Sequence, residues 1–190
     1  MAFLHNHIAR KILLTIILAW SSLSFYFTNT DSLLLVVLII FISIFGLIFI
    51  WTEKSAIFTL ILLSFTSTYA FSVFMYQINI PLWLIMIGVI IIFGYLFTYT
   101  EQKIGILGNK RLIYLVLFSL LILEAFLALS YFAISPINQS LVIASICYLF
   151  VGYCYTVLAK HEDNNFLTYV IITTLTILLV FMTSTWGGLV

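Results

Sequence analysis

Charge is what this chain is short of. Only 7% of its 190 residues are Asp, Glu, Lys or Arg, whereas a soluble domain carries about 25%. With 65% hydrophobic residues, a chain of this size has more apolar surface than one core can hide, which excludes a soluble globular domain and makes lipid the solvent. The net charge of +1, with no basic stripe to neutralise phosphates, excludes nucleic acid as a partner. Two prolines and eight glycines leave no flexible linker or low-complexity tail, so residues 1–190 read as one membrane-embedded domain. The two cysteines, Cys147 and Cys154, lie seven residues apart. On a helix that spacing is about 10.5 Å, beyond the roughly 7 Å between Cα atoms that a disulfide allows, so both read as small buried hydrophobes. No CxxC or Cys/His spacing suggests zinc.

Reactive motifs are missing too. There is no HExxH, no GxSxG, no P-loop and no intramembrane acidic pair for Mg²⁺, and the last apolar run has no Lys for a retinal Schiff base. No loop is long enough to fold a catalytic domain. The reading is therefore no catalytic residue, no cofactor and no metal, leaning away from an enzyme. His5 and His7, two residues apart, read as a solvated tail, and His161 as a loop residue.

Seven apolar runs are present: 12–27, 33–51, 56–75, 81–100, 112–132, 137–158 and 166–186. Six have the roughly 17–25 residues of a membrane helix, and the first is slightly short. This predicts an all-α polytopic membrane protein with seven transmembrane helices and short loops. All seven basic residues fall in alternate gaps: Arg10 and Lys11, then Lys54, then Lys103, Lys110 and Arg111, then Lys160. By chance that segregation arises in roughly one case in sixty, so the positive-inside bias predicts a cytoplasmic N-terminus and a C-terminus outside. The many Ile and Phe and the very short loops suggest a bacterial chain, which places it in the plasma (inner) membrane. The same residues are expected to touch anionic headgroups. The first run, preceded by Arg10 and Lys11 and followed by no small-x-small site, reads as an uncleaved signal anchor.

The gaps read as turns. Asp31 or Ser32 is expected to cap the second helix and Ser55 the third, Pro81 to open the fourth, and Gly105 and Gly108 to break the longest inner loop. Residues 135–138 read as an outer turn. Trp51, Tyr99, Tyr114, Tyr131 and Trp186 near the span ends suit interfacial belts.

Glu124 is the one ionisable side chain deep inside a run. It lies thirteen residues beyond Arg111, about 20 Å along a helix. An intramembrane acid is costly by about 2.5–3.5 kcal/mol, so it is expected to face the bundle interior, hydrogen-bonded to a layer of Ser21, Ser24, Ser67, Thr68, Ser145, Tyr148 and Thr173. Such a layer would serve as a proton or substrate site or as interhelical glue. A shift of 106 residues also lays the first three runs on the last three, matching Ala19 to Ala125, Gly46 to Gly152 and Lys54 to Lys160, which suggests a parallel 3+1+3 repeat.

The stretch from Glu124 through Ala-Phe-Leu-Ala-Leu-Ser-Tyr-Phe-Ala-Ile-Ser to Pro136, with Tyr148 and the closing Thr183-Ser-Thr-Trp186, resembles an uncharacterised family of small multi-span bacterial membrane proteins, a domain of unknown function. In that family a glutamate-led helix runs into a Pro-Leu-Ser-Pro-like turn and a Trp closes the chain. Here Ala133 stands in place of the first Pro. The resemblance covers about the last 80 residues and implies no activity. The reading is an integral membrane protein acting as a non-enzymatic subunit or scaffold, partnered by the bilayer, by other membrane proteins or by itself. The alternative is a small secondary transporter or proton-coupled carrier using Glu124.

Overall fold

The computed structural model describes residues 7–105, 110–132, 134–158 and 166–184. Among them are seven helices and no strand: α1 (His7–Thr28), α2 (Leu33–Thr52), α3 (Ala56–Tyr76), α4 (Leu82–Ile104), α5 (Arg111–Tyr131), α6 (Pro136–Tyr153) and α7 (Phe166–Thr183). They contain 18–23 residues each, about 27–35 Å at 1.5 Å per residue, which matches a hydrocarbon core of about 30 Å. All seven are long and apolar enough to cross a membrane.

The helix ends follow local chemistry, with departures. Ser55 accepts from the Phe58 N–H and caps α3. Ser32 occupies the cap of α2 without using its side chain, and Asp31 is an exposed turn residue. Pro81 stands one residue before α4. Gly105 ends α4 at φ 70°, a left-handed position that suits a residue without Cβ. Gly108 and Ala133 lie outside the described residues. α1 begins at His7, a turn earlier than the apolar run, because Arg10 and Lys11 find partners in the bundle. Residues 136–138, expected in a turn, form the first turn of α6, since Ser135 accepts from the Asn138 N–H and Pro136 loses no bond at the first helical position. α6 continues beyond Tyr153 as a π-helical turn, Cys154–Leu158.

α3 and α6 form the central pair. α3 packs on α1, α2, α4 and α6, while α6 also packs on α5 and α7. Two thirds of α3 and half of α6 are buried, against 11% of α7 and 17% of α2. The ordering is physical. Lipid tails solvate Leu and Ile as well as protein does, so the most apolar helix, α2, gains little by burial. α3, rich in Ser and Thr, gains close backbone approach and hydrogen bonds. Gly88 and Gly152 allow similar approach. A Cβ on Gly88 would meet Phe71 at 2.7 Å, and one on Gly152 would penetrate the Tyr169 ring.

Aromatic contacts tie the remaining helices together. Phe97, Phe118 and Phe150 meet pairwise at 4.8–5.7 Å across α4, α5 and α6, and Trp20 of α1 lies edge-on to Phe71 and Phe74 of α3 at 5.3 and 5.5 Å. Such pairs contribute roughly 0.5–1.5 kcal/mol each beyond their burial. Tyr99, expected at an interfacial belt, is buried in this core, whereas Trp51 and Tyr131 are exposed. Trp186 lies outside the described residues. The two halves suggested by the 106-residue shift pack differently: the third helix of the first half is central, but in the second half it is the middle one.

Candidate functional site

Polar side chains concentrate in three places. The first is the end of the bundle that carries the basic residues. Glu53 follows α2 at φ 53°, an uncommon position for a residue with a Cβ. Its carboxylate gathers Lys103 of α4, Lys11 of α1 at 3.2 Å and His7 Nδ1 at 2.8 Å. Burial works to raise the Glu53 pKa, but Lys103, Lys11 and His7 together hold it below the ordinary glutamate value. Lys11 also donates to the Trp51 carbonyl at 3.0 Å and lies over that ring. Arg10 donates to Gln102 at 2.5 Å, and Arg111 pairs with Glu101 at 3.0 Å across the α4–α5 connection. Lys54 and Lys110 are exposed, and Lys160, His161 and His5 lie outside the described residues. Part of the basic set is therefore engaged in clamping helix ends.

The second place is a knot at the opposite end, centred on Gln139 of α6, which is 1% exposed. Its carbonyl accepts from the Ser72 hydroxyl at 2.7 Å. Its amide donates to the Tyr76 hydroxyl at 2.9 Å and to the Leu129 and Ile134 carbonyls at 3.2 Å each. Tyr76 in turn donates to the Ser130 carbonyl at 3.2 Å. One side chain thus joins α3, α5 and the turn before α6. Nearby in kind, Asn29 donates to the Tyr69 hydroxyl at 2.7 Å and ties the α1–α2 turn to α3. Sequence reasoning missed both Gln139 and Glu53. Each sits at the edge of a run, where polar residues look like turn residues. The available signal was that Glu53 is an acid at the same end as Arg10, Lys11 and Lys103.

The third place is Glu124, and it departs from expectation. Glu124 is exposed on the outer face of α5, not directed into the bundle. Its neighbours on that face are Leu120, Leu121 and Ala128 one turn away and Leu117 two turns away, and the three leucines are 39–50% exposed. Among the described residues it has no hydrogen bond and no ion pair. The assumed hydroxyl layer does not form around it. Ser21 donates to the Leu18 carbonyl, Thr68 to Ser64 and Ser145 to Leu141, all within their own helices. Ser24 and Ser67 are buried with no partner among the described residues. Thr173 donates to the Ser145 carbonyl at 3.3 Å, so those two do meet, bridging α7 and α6. Tyr148 stacks at 4.6 Å on Tyr169. The bonded hydroxyls serve their own helices and the α6–α7 contact, because a carbonyl three or four residues back is within reach of Ser or Thr.

Among the apolar cavities that open on the outer surface, three are prominent. One, of about 450 Å³, lies between α1 and α2 over the Ser22–Ser43 hydrogen bond. Another, also about 450 Å³, lies among α2, α3, α6 and α7 and includes Ser145 and Tyr148. The third, about 380 Å³, lies beside α5 and is walled by Leu121, Ile146 and Leu149. None is lined by Glu124. Among the described residues no group of His, Cys, Asp and Glu could hold a metal ion, and both cysteines are free and buried.

The fold and these sites define a class: a seven-helix bundle with the dimensions of a multi-pass membrane protein. Comparison with family models, with curated proteins and with solved structures finds no match, so the resemblance of the C-terminal stretch rests on the residues that carry it.

Proposed function

We propose that this chain is a non-enzymatic subunit or scaffold of a membrane assembly in the bacterial plasma (inner) membrane. Its N-terminus is cytoplasmic and its C-terminus outside, and it docks on protein through an exposed helix face. The observation that carries the reading is Glu124. A carboxyl on the membrane-facing side of α5, without a partner among the described residues, is costly in hydrocarbon and is relieved when another protein covers it. The orientation rests on the basic residues, since the described ones all lie at one end of the bundle. A carrier working through Glu124 would need a cavity reaching it, and the three prominent cavities are lined by other residues. The test is purification from native membranes in mild detergent, followed by mass spectrometry. A protein retained in stoichiometric amount, a second copy included, is the expected result. A lone monomer would refute the reading.

A further inference from the structure

The exposed face of α5 narrows the choice of partner, and this step rests on the assembly reading above. We propose that the α5 face binds a second copy of this chain across a two-fold axis along the membrane normal, joined by reciprocal hydrogen bonds between the two Glu124 carboxyls.

The chemistry of one side chain carries the argument. In hydrocarbon an uncharged carboxyl has one O–H donor and a carbonyl acceptor, so it is complementary to another carboxyl. A two-fold axis along the normal returns every residue to its own depth, so Glu124 meets its counterpart without any adjustment of height. The described Lys and Arg residues cluster at the basic end, most of them engaged there by Glu53, Glu101 or Gln102, about 20 Å along α5 from Glu124. A copy of this chain therefore brings no described cation to that depth, and the carboxyl pair is the match it offers. Ala128, exposed one turn beyond Glu124, is small enough to let two α5 helices approach closely. The apolar cavity beside Leu121 opens next to the same face and gives room for side chains of the second copy. The equally exposed α2 face offers Leu34, Val37, Leu38 and Phe41, which lipid tails solvate as well as protein does, so it gains nothing comparable by association.

The test uses the full chain in lipid vesicles, with dimer fraction read by single-molecule photobleaching over a dilution series in lipid. Wild type is expected to dimerise. Glu124→Leu is expected to weaken association by roughly tenfold while leaving thermal unfolding of the monomer unchanged. Glu124→Gln, whose amide is also self-complementary, is expected to retain it. Independently, Ala128→Cys should form an inter-chain disulfide and Phe41→Cys should not, the native thiols being buried. Wild type that stays monomeric at every dilution, Glu124→Leu that dimerises as wild type does, or crosslinking at Phe41→Cys without Ala128→Cys would each overturn the proposal. A monomer that retains a different protein stoichiometrically from native membranes overturns the second copy and leaves the assembly reading standing. A monomer that retains nothing overturns both.

Discussion

Replacing Gln139 by Leu removes the knot that joins α3, α5 and the turn before α6 and puts an apolar side chain of similar size in its place. Four hydrogen-bond contacts disappear, at 2.7, 2.9, 3.2 and 3.2 Å, the two amide N–H groups being shared among three acceptors. Interhelical hydrogen bonds in membranes average about 0.6 kcal/mol and reach about 1.7. Tyr76 keeps its bond to the Ser130 carbonyl, and the Leu129 carbonyl keeps the Phe132 N–H. Ser72 is fully buried and loses the partner it donates to, and the Ile134 carbonyl loses the amide that holds its turn. The expected cost is therefore about 2–3 kcal/mol, roughly two strong bonds and two weak ones. The assay is reversible unfolding in bicelles, run as a double-mutant cycle with Ser72→Ala. A coupling of about 0.5–1.5 kcal/mol between the two sites is expected. A Gln139→Leu protein within about 0.5 kcal/mol of wild type, or additive effects in the cycle, would refute the claim that this side chain organises the end of the bundle opposite the basic residues.

Other perturbations give separate readouts. Gly152→Ala drives a methyl group into the Tyr169 ring and should destabilise the α6–α7 contact by about 1–3 kcal/mol, seen as a lower melting temperature. Glu53→Gln should cost about 1 kcal/mol at neutral pH, because the cations around Glu53 lose their counter-charge. Since the folded Glu53 titrates below its ordinary value, its contribution is complete above that value and fades as pH falls through the lowered one. Wild type should therefore lose stability in that acid window more steeply than Glu53→Gln, as measured by melting temperature against pH.

Much of the architecture was legible in the sequence because membrane spans are set by length and apolarity. All seven helices fall on the seven runs, displaced by about a turn where polar residues continue a helix: Arg10 at the start of α1 and Lys103 at the end of α4. The inward face of each helix was not legible. Runs such as 33–51 are apolar on every side, so no periodicity marks a core stripe. Burial follows the small hydroxyl-bearing residues of α3, a rule opposite to that of soluble proteins. Glu124 was assigned to the interior on the argument that a membrane acid must be enclosed. Under the proposed assembly that argument applies to the complex, and a single chain need not satisfy it alone. Gln139 went unnoticed because its strength comes from four partners on three segments, which no local pattern reveals.

The most direct measurement of the central claim is photo-crosslinking in native membranes, with a benzophenone amino acid in place of Leu120 on the Glu124 face and of Leu38 on α2. The account predicts a protein adduct from Leu120, reduced in Glu124→Leu, and lipid adducts alone from Leu38. Lipid adducts alone from both positions would contradict it.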